Sequence, residues 1–170
     1  MFSCVDGVDI QEDAYVEEPG GPLYMKQTIG NACGTIALLH SLGNAMDVLS
    51  CGGFLHQFLE NTKDYNHKER GEYLEHGEGA SSLEKIHAEA AHAGETRAPS
   101  VDEEINLHFV AFVEHNEGLW ELDGRKAGPV YHGETDRDSL LQRVAQVVKK
   151  EYIETSDSLD FNMMALAALD

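Results

Sequence analysis

Apolar residues recur at helical spacing in the stretch that follows Gly30. The residues that share one helix face are Ala32, Ile36, Leu39 and Gly43, with Leu38 and Leu42 beside them. Asn31 precedes this run, and its side chain can accept hydrogen bonds from the first unpaired amides of a helix. Similar patterns predict helices over about 52–60, 66–75 and 138–153, the last one capped by Thr135 or Asp136.

Alternating apolar residues between positions 107 and 123 predict a β-hairpin. LHFVAFVE would form the first strand, HNEG the turn and LWELD the return strand. A loop of two or four residues pairs Glu114 with Leu119 and places His108 and Asp123 on one face, as diagonal neighbours. A three-residue loop would place these two side chains on opposite faces. Residues 161–166 predict a final strand.

The remaining stretches indicate the domain organisation. Residues 1–22 are acidic and end in a run of proline and glycine, which is typical of a weakly ordered segment. Residues 23–170 are expected to form a single domain that opens with a short extended stretch over 23–29. Residues 76–104 are rich in small and polar residues, and so long a loop in a compact domain is often a lid. A short helix over about 82–92 fits within this loop.

The charge balance narrows the range of partners. Asp and Glu number 31 against 12 Lys and Arg, which gives a net charge of −19. Nucleic acid and anionic membranes would repel such a protein, whereas its field favours a basic protein partner. We therefore expect a soluble monomer that has neither nucleic acid nor a membrane as a partner.

The cysteine content indicates the cellular compartment. Cysteines stand at positions 4, 33 and 51, and their odd number argues against a disulfide framework and for a reducing compartment. The first residues lack the basic and apolar runs of a signal peptide, and no stretch has the length of a membrane span. These features predict a protein of the cytoplasm, or also of the nucleus. His87 and His92 lack the spacing of a zinc motif, so we expect no metal or other cofactor.

Cys33 is the strongest candidate for a catalytic residue. A lone cysteine on an apolar helix is more often buried and inert, but the unpaired amides at a helix start favour the thiolate. The predicted pair of His108 and Asp123 would supply a base together with the carboxylate that orients it. Gln27 stands in the extended stretch before the helix, where its side chain could hold a developing oxyanion together with the Cys33 amide. The pattern therefore indicates a thiol hydrolase.

Two longer motifs add a resemblance to a known family. The run MKQTIGNACGTIALLHSLGN (25–44) is similar to the catalytic segment of the ubiquitin carboxyl-terminal hydrolases, and LHFVAFVEHNEGLWELDGRKAGPVYHG (107–133) resembles their His and Asp segment. APSVDEEINLHF and FNMMALAAL are also similar to segments of that family. The likeness extends from about Leu23 to Leu166, and NACGT, HFVAF and ELDGRK are its most specific parts.

The resemblance implies an α+β fold, with an antiparallel central sheet flanked by helices and related to papain-like cysteine proteases. It implies four roles: Cys33 as the nucleophile, His108 as general base and acid, Asp123 as the residue that orients His108, and Gln27 in the oxyanion hole. The implied reaction is cleavage of small adducts or peptides from the C-terminal glycine of ubiquitin or a ubiquitin-like protein. Residues 76–104 would be the family's crossover loop, which restricts the leaving group.

One difference from the family leaves an alternative open. Family members usually carry a longer segment before the catalytic one, whereas the likeness starts near Leu23 in this chain. The alternative is a catalytically impaired module that binds ubiquitin, or a truncated isoform without the N-terminal part of the domain. The presence of all four site residues favours the enzyme.

Overall fold

The architecture is α+β, as the sequence predicts. The computed structural model describes residues 19–30, 32–49, 52–76, 78–83, 85, 108–156 and 160–167. In these ranges a three-stranded antiparallel sheet has the order β1 (Ala111–His115), β2 (Gly118–Leu122), β3 (Val130–Glu134). The helices are α1 (Cys33–Gly43), α2 (Gly53–Asn61), α3 (His67–Glu75) and α4 (Leu140–Val148). α1 packs on β1, and α4 contacts both β1 and β2.

The hairpin has the predicted register. β1 and β2 pair antiparallel, with Glu114 opposite Leu119. The loop consists of Asn116 and Glu117, whose φ angles of 51° and 59° are the left-handed values of a type I′ turn. Because this turn matches the twist of the two strands, it sets a pairing in which even-numbered residues of β1 share a face with odd-numbered residues of β2. The first strand starts at Ala111, so it is shorter than the stretch predicted from residue 107.

The third strand was not predicted from the sequence. β3 pairs antiparallel with β2, with Val130 opposite Glu121 and Glu134 opposite Gly118, and a bulge interrupts the ladder between them. The local signal was the β-branched and aromatic pair Val130–Tyr131. The strand is short, and glycine and proline residues lie close to it, so the local sequence favours a strand only weakly. Its formation depends on pairing with the edge of β2.

The helix starts differ from the predicted caps. Ala32 is the N-cap of α1 and makes no side-chain cap bond, while Asn31 lies outside the described residues. Ser139 is the N-cap of α4, so the predicted caps Thr135 and Asp136 are wrong. The Asp136 carboxylate instead accepts hydrogen bonds from the Ser139 amide and hydroxyl at 2.8 and 2.6 Å, in the turn that leads into the helix. A π-helical turn, Lys149–Ile153, continues α4.

The helices and sheet bury two groups of apolar side chains. One group joins the first three helices and consists of Met25, Ile36, Leu39, Leu55, Phe58 and Leu74. The second lies between the 23–30 segment and the hairpin and consists of Tyr24, Ala111, Val113 and Leu122. Leu38, predicted to flank the buried face of α1, is 59% exposed. The 23–30 segment forms no regular strand. It is held between the two apolar groups because Tyr24 and Met25 are buried.

The final strand predicted over residues 161–166 is wrong. The described residues 160–167 contain no strand, and most of their side chains are exposed, Met164 to 82%. A strand needs a neighbour whose backbone groups complete its hydrogen bonds. The apolar residues of this segment predict a strand, but they do not by themselves provide a neighbouring strand for it to pair with.

Several predictions concern residues that lie wholly or partly outside the described ranges. Residues 1–18 and 86–107 are not described, so the weakly ordered segment and most of the loop over 76–104 stay predictions. Residues 78–83 and 85 are helical, so a helix begins earlier than the predicted start at residue 82, while residues 86–92 of that prediction lie outside the described ranges. In the described part of the chain, none of the helices has the length and apolar character needed to cross a bilayer.

His40, on α1, is a buried polar residue within the core. Its side chain is fully buried, its ring stacks on Tyr24 with 5.2 Å between centroids, and its ring nitrogens lie near the backbones of Met25 and Leu122. Burial is the largest influence and lowers the pKa of His40 from 6.5 to about 4, although its backbone contacts and the nearby Asp123 charge act the other way. The imidazole is therefore neutral in the folded protein at neutral pH.

This neutrality predicts a loss of stability in mild acid. Between pH 6.5 and about 4 the unfolded chain protonates His40 and the folded chain does not, so stability falls as the pH decreases through that window, by at most about 3 kcal/mol. Urea unfolding at pH 7 and pH 4.5 measures the difference, and His40→Phe should show a smaller decrease than the wild type. An equal decrease in both proteins would contradict the assignment.

Candidate active site

The predicted contact between His108 and Asp123 is present. His108 Nε2 lies 2.7 Å from Asp123 Oδ1, and the same oxygen accepts a hydrogen bond from the Arg125 amide at 2.9 Å. Burial is the largest influence and raises the pKa of Asp123, but the hydrogen bonds from His108 and Arg125 together outweigh it and lower the pKa below its usual value. The carboxylate therefore stays ionised and accepts the Nε2 proton.

The other ring nitrogen of His108 is positioned to act as a base. Nδ1 is buried and has no hydrogen-bond partner among the described residues. Because Asp123 holds the proton on Nε2, Nδ1 carries a lone pair in the neutral ring. A buried lone pair that lacks a donor is the arrangement a proton acceptor needs before its substrate or nucleophile engages it.

Cys33 lies at the first position of α1 and is a free thiol, 7% exposed. Its neighbour Gly34 faces the ring of Phe109, because a Cβ added to Gly34 would lie 3.7 Å from Phe109 Cδ2. The residues that directly follow Cys33 and His108 therefore lie next to each other. The start of α1, with its unpaired amides, therefore lies beside the segment that carries His108.

Gln27 joins the same region through its backbone. Its amide donates to the Gly124 carbonyl at 2.8 Å, next to Asp123 in the chain. The side-chain Nε2 donates to the Ile29 carbonyl at 3.0 Å, and Oε1 is buried with no partner among the described residues. An amide nitrogen has two hydrogens, so one donor of Gln27 remains for an oxyanion. The structure thus brings three of the predicted residues into one neighbourhood, with Cys33 adjacent through Gly34.

Gly124 allows these parts to approach each other. A Cβ at this position would lie 2.9 Å from Gln27 Cβ, 2.9 Å from Ile36 Cγ2 and 3.1 Å from the Gln27 nitrogen. Real Cβ atoms do not come this close to such atoms, so only glycine fits without a shift of the segment or of α1. The close packing of these segments therefore explains why the ELDGRK motif contains a glycine at this position.

Several residues that support the site were not singled out from the sequence. The Tyr24 hydroxyl donates to the carbonyls of Asp123 and Lys126, at 2.9 and 2.6 Å, and holds the turn after β2. Lys126 in turn pairs with the buried Glu121, which also contacts His132 Nε2 at 2.8 Å. The sequence did contain a signal for this ion pair, because the motif ELDGRK places the charged residues Glu121 and Lys126 on either side of Asp123. The motif therefore supplies an ion pair that spans Asp123 as well as the Asp123 carboxylate itself.

The cluster of Glu121, His132 and Glu151 brings together side chains that bind metals. Its geometry indicates ion pairs instead, because the two carboxylates face opposite nitrogens of the His132 ring, at 2.8 Å from Nε2 and 3.8 Å from Nδ1. Ligands on opposite sides of one ring do not converge on a common ion. Burial raises the pKa of Glu121, but hydrogen bonds from Lys126, Tyr152 and His132 outweigh it and keep the pKa low.

Together these features define a class of site. A thiol at a helix start, an imidazole held by an ionised carboxylate, and an amide donor beside them can carry out acyl transfer through a thioester. The α+β fold, in which helices pack against an antiparallel sheet, is the scaffold that positions these groups.

The chain belongs to the ubiquitin carboxyl-terminal hydrolase family, because the family model described as "Ubiquitin carboxyl-terminal hydrolase, family 1" matches residues 6–154. This match starts before Leu23, where the resemblance seen in the sequence alone begins. It therefore includes residues of the segment 1–22 that the motifs did not cover.

Individual relatives agree with the family assignment. The chain is 46% identical over 134 residues to a ubiquitin carboxyl-terminal hydrolase of Aplysia californica, covering 78% of this chain and 61% of that protein. It is 38% identical over 145 residues to the rat ubiquitin carboxyl-terminal hydrolase isozyme L1, covering 84% and 62%. The Trichinella spiralis UCH37 catalytic domain, in a crystal structure with ubiquitin vinyl methyl ester, superposes with a TM-score of 0.59 at 26% identity, covering 80% and 58%. The chain thus spans about 60% of the length of these relatives.

The close approach at Gly124 generates a test of the site's packing. Gly124→Ala should lower the free energy of unfolding by about 1–3 kcal/mol, because the added methyl group pushes Gln27 and Ile36 apart. It should also slow the alkylation of Cys33 by iodoacetamide. The matched control is Gly30→Ala, since a Cβ at Gly30 meets nothing within 4 Å. Wild-type stability and alkylation in Gly124→Ala would show that the approach is not required.

Proposed function

We propose that this protein is a thiol-dependent hydrolase that cleaves small adducts or peptides from the C-terminal glycine of ubiquitin or a ubiquitin-like protein. The observation that carries the proposal is the His108–Asp123 hydrogen bond of 2.7 Å, with the opposite ring nitrogen buried and unpartnered among the described residues. It gives the imidazole the orientation and tautomer that a general base for Cys33 requires. Family membership supplies the substrate class.

In the proposed mechanism, His108 Nδ1 accepts the Cys33 proton and the thiolate attacks the carbonyl carbon of the terminal glycine. The Cys33 amide and the Gln27 side chain donate to the oxyanion that forms, which lowers the energy of the tetrahedral state. The imidazolium then gives its proton to the leaving amine or thiol, and the thioester remains. Water, deprotonated by His108, attacks the thioester and releases the carboxylate of ubiquitin and the free thiol.

The net charge of −19 supports a basic partner surface, since opposite potentials accelerate encounter. The Trichinella UCH37 catalytic domain, with the same fold, was crystallised bound to ubiquitin vinyl methyl ester. We extend the choice of ubiquitin to this chain on that likeness and on the family. The proposed crossover loop, residues 76–104, would limit leaving groups to small or unfolded ones.

The alternative is a module that binds ubiquitin without efficient turnover. The observation that favours it is the coverage of about 60% of the relatives' length. Labelling by an activity probe separates the two functions, because binding alone forms no covalent bond.

Ubiquitin vinyl methyl ester should attach covalently to the wild-type chain through Cys33. The expected result is a mass increase equal to the probe, which is lost in Cys33→Ala because the nucleophile is gone. Cys4→Ala and Cys51→Ala are the matched controls and should label like the wild type. A folded wild type that stays unlabelled, or labelling that survives in Cys33→Ala, would rule out the proposed role.

Asp123→Asn tests the orientation of the base. An amide at this position can donate to Nε2 and so favours the wrong tautomer of His108, which should lower turnover of a fluorogenic ubiquitin amide by about 10²-fold or more. His108→Ala should abolish turnover, while the exposed Asp64→Asn should leave it unchanged. Full activity in Asp123→Asn would be inconsistent with the triad.

A further inference from the structure

His40 lies on the same helix as Cys33, about two helical turns later and on the same buried side. It is fully buried, so each of its polar atoms needs a partner inside the protein. The proposed mechanism does not use this residue, and none of the site motifs required it. Its contacts, however, reach the chain segments that carry the other two parts of the site.

The hydrogen bonds of His40 determine its tautomer. The Met25 amide lies 3.0 Å from Nε2, and since an amide can only donate, Nε2 accepts. The proton is then on Nδ1, which donates to the Leu122 carbonyl over 3.3 Å. The Met25 carbonyl also lies 3.2 Å from Nε2, but a proton there would face the Met25 amide and leave Leu122 without a donor.

The two anchored residues are close in sequence to the site. Leu122 directly precedes Asp123, and Met25 stands two positions before Gln27. Tyr24, stacked on the His40 ring, holds the carbonyls of Asp123 and Lys126 through its hydroxyl. One imidazole on the helix of the nucleophile thus contacts both the strand of the orienting carboxylate and the segment of the oxyanion donor.

We propose that His40 is a positioning residue, which sets the placement of Asp123 and Gln27 relative to Cys33 through separate bonds from its two ring nitrogens. This inference rests on the proposed function for its link to turnover. If His40 only filled space in the core, a side chain of similar size would suffice, and the two hydrogen bonds would have no separate effects. The positioning role instead gives each hydrogen bond an effect of its own. Two substitutions allow the bonds to be removed one at a time.

Asparagine and glutamine each reproduce one nitrogen of histidine. The side-chain amide of Asn reaches the position of Nδ1, so His40→Asn keeps a donor for Leu122 and removes the acceptor for Met25. The longer Gln reaches the position of Nε2, so His40→Gln keeps the Met25 bond and removes the Leu122 bond. His56→Gln on α2, where the histidine is exposed, is the matched control.

Two reaction rates distinguish the effects of the two hydrogen bonds of His40. Alkylation of Cys33 by iodoacetamide, followed on the Cys33 peptide by mass spectrometry, depends on the thiolate and not on an oxyanion hole. Turnover of a fluorogenic ubiquitin amide depends on both. His40→Asn should therefore alkylate like the wild type over the whole pH range but lose about 10-fold or more in kcat with KM little changed. His40→Gln should lose kcat and also alkylate more slowly at neutral pH.

The proposal is overturned if both variants, shown to be folded by circular dichroism, keep alkylation rates and kcat within about twofold of the wild type. It is also overturned if the two variants lose both rates in the same proportion, which is the result of a merely structural role. If the wild type does not turn over the ubiquitin substrate, the proposed function fails. The alkylation profiles then decide the role of His40, because that reagent needs no ubiquitin.

Discussion

The close contact at Gly124 is the constraint on which the site depends. There the 23–30 segment, helix α1 and the turn after β2 come together because Gly124 has no side chain, and the Gln27 amide bonds to the Gly124 carbonyl. Asp123 is the preceding residue, so its carboxylate position follows from this packing. A backbone contact of this kind is rigid because neither partner can adopt another rotamer, and that rigidity suits groups that must meet within hydrogen-bond distance.

Polar groups in the interior reinforce that contact. Tyr24 and His40 bind backbone carbonyls on both sides of Asp123, and Glu121 with Lys126 closes the same turn by an ion pair. Buried polar groups are costly when unpaired, but a connected set allows only one arrangement of its backbone segments. The protein therefore gains a specific geometry more than it gains stability. This explains why polar residues lie so close to the core of a small domain.

The proposed catalytic groups come from separate parts of the chain with different mechanical properties. His108 precedes and Asp123 follows the paired residues of one hairpin, so the register set by the turn at Asn116 and Glu117 brings both residues to the same end of it. The thiol and the amide donor arrive from a helix and an irregular segment, which are joined to the hairpin by long-range hydrogen bonds and packing. Errors in packing would thus separate the nucleophile from its base before they disturbed the His108–Asp123 pair. Membership of the hydrolase family is consistent with a site divided in this way.

The amino-acid sequence by itself limited the hairpin to a few registers and predicted the pairing of His108 with Asp123 for a loop of two or four residues, because residue parity is a local property. It also indicated Cys33 at a helix start, since apolar periodicity shows where a helix begins. Only the tertiary structure decided which residues Gly124 and His40 contact, which edge pairs with β3, and that residues 161–166 form no strand. Those outcomes depend on neighbours distant in the chain, and a local pattern carries no information about the partner that will complete a buried hydrogen bond or a strand edge.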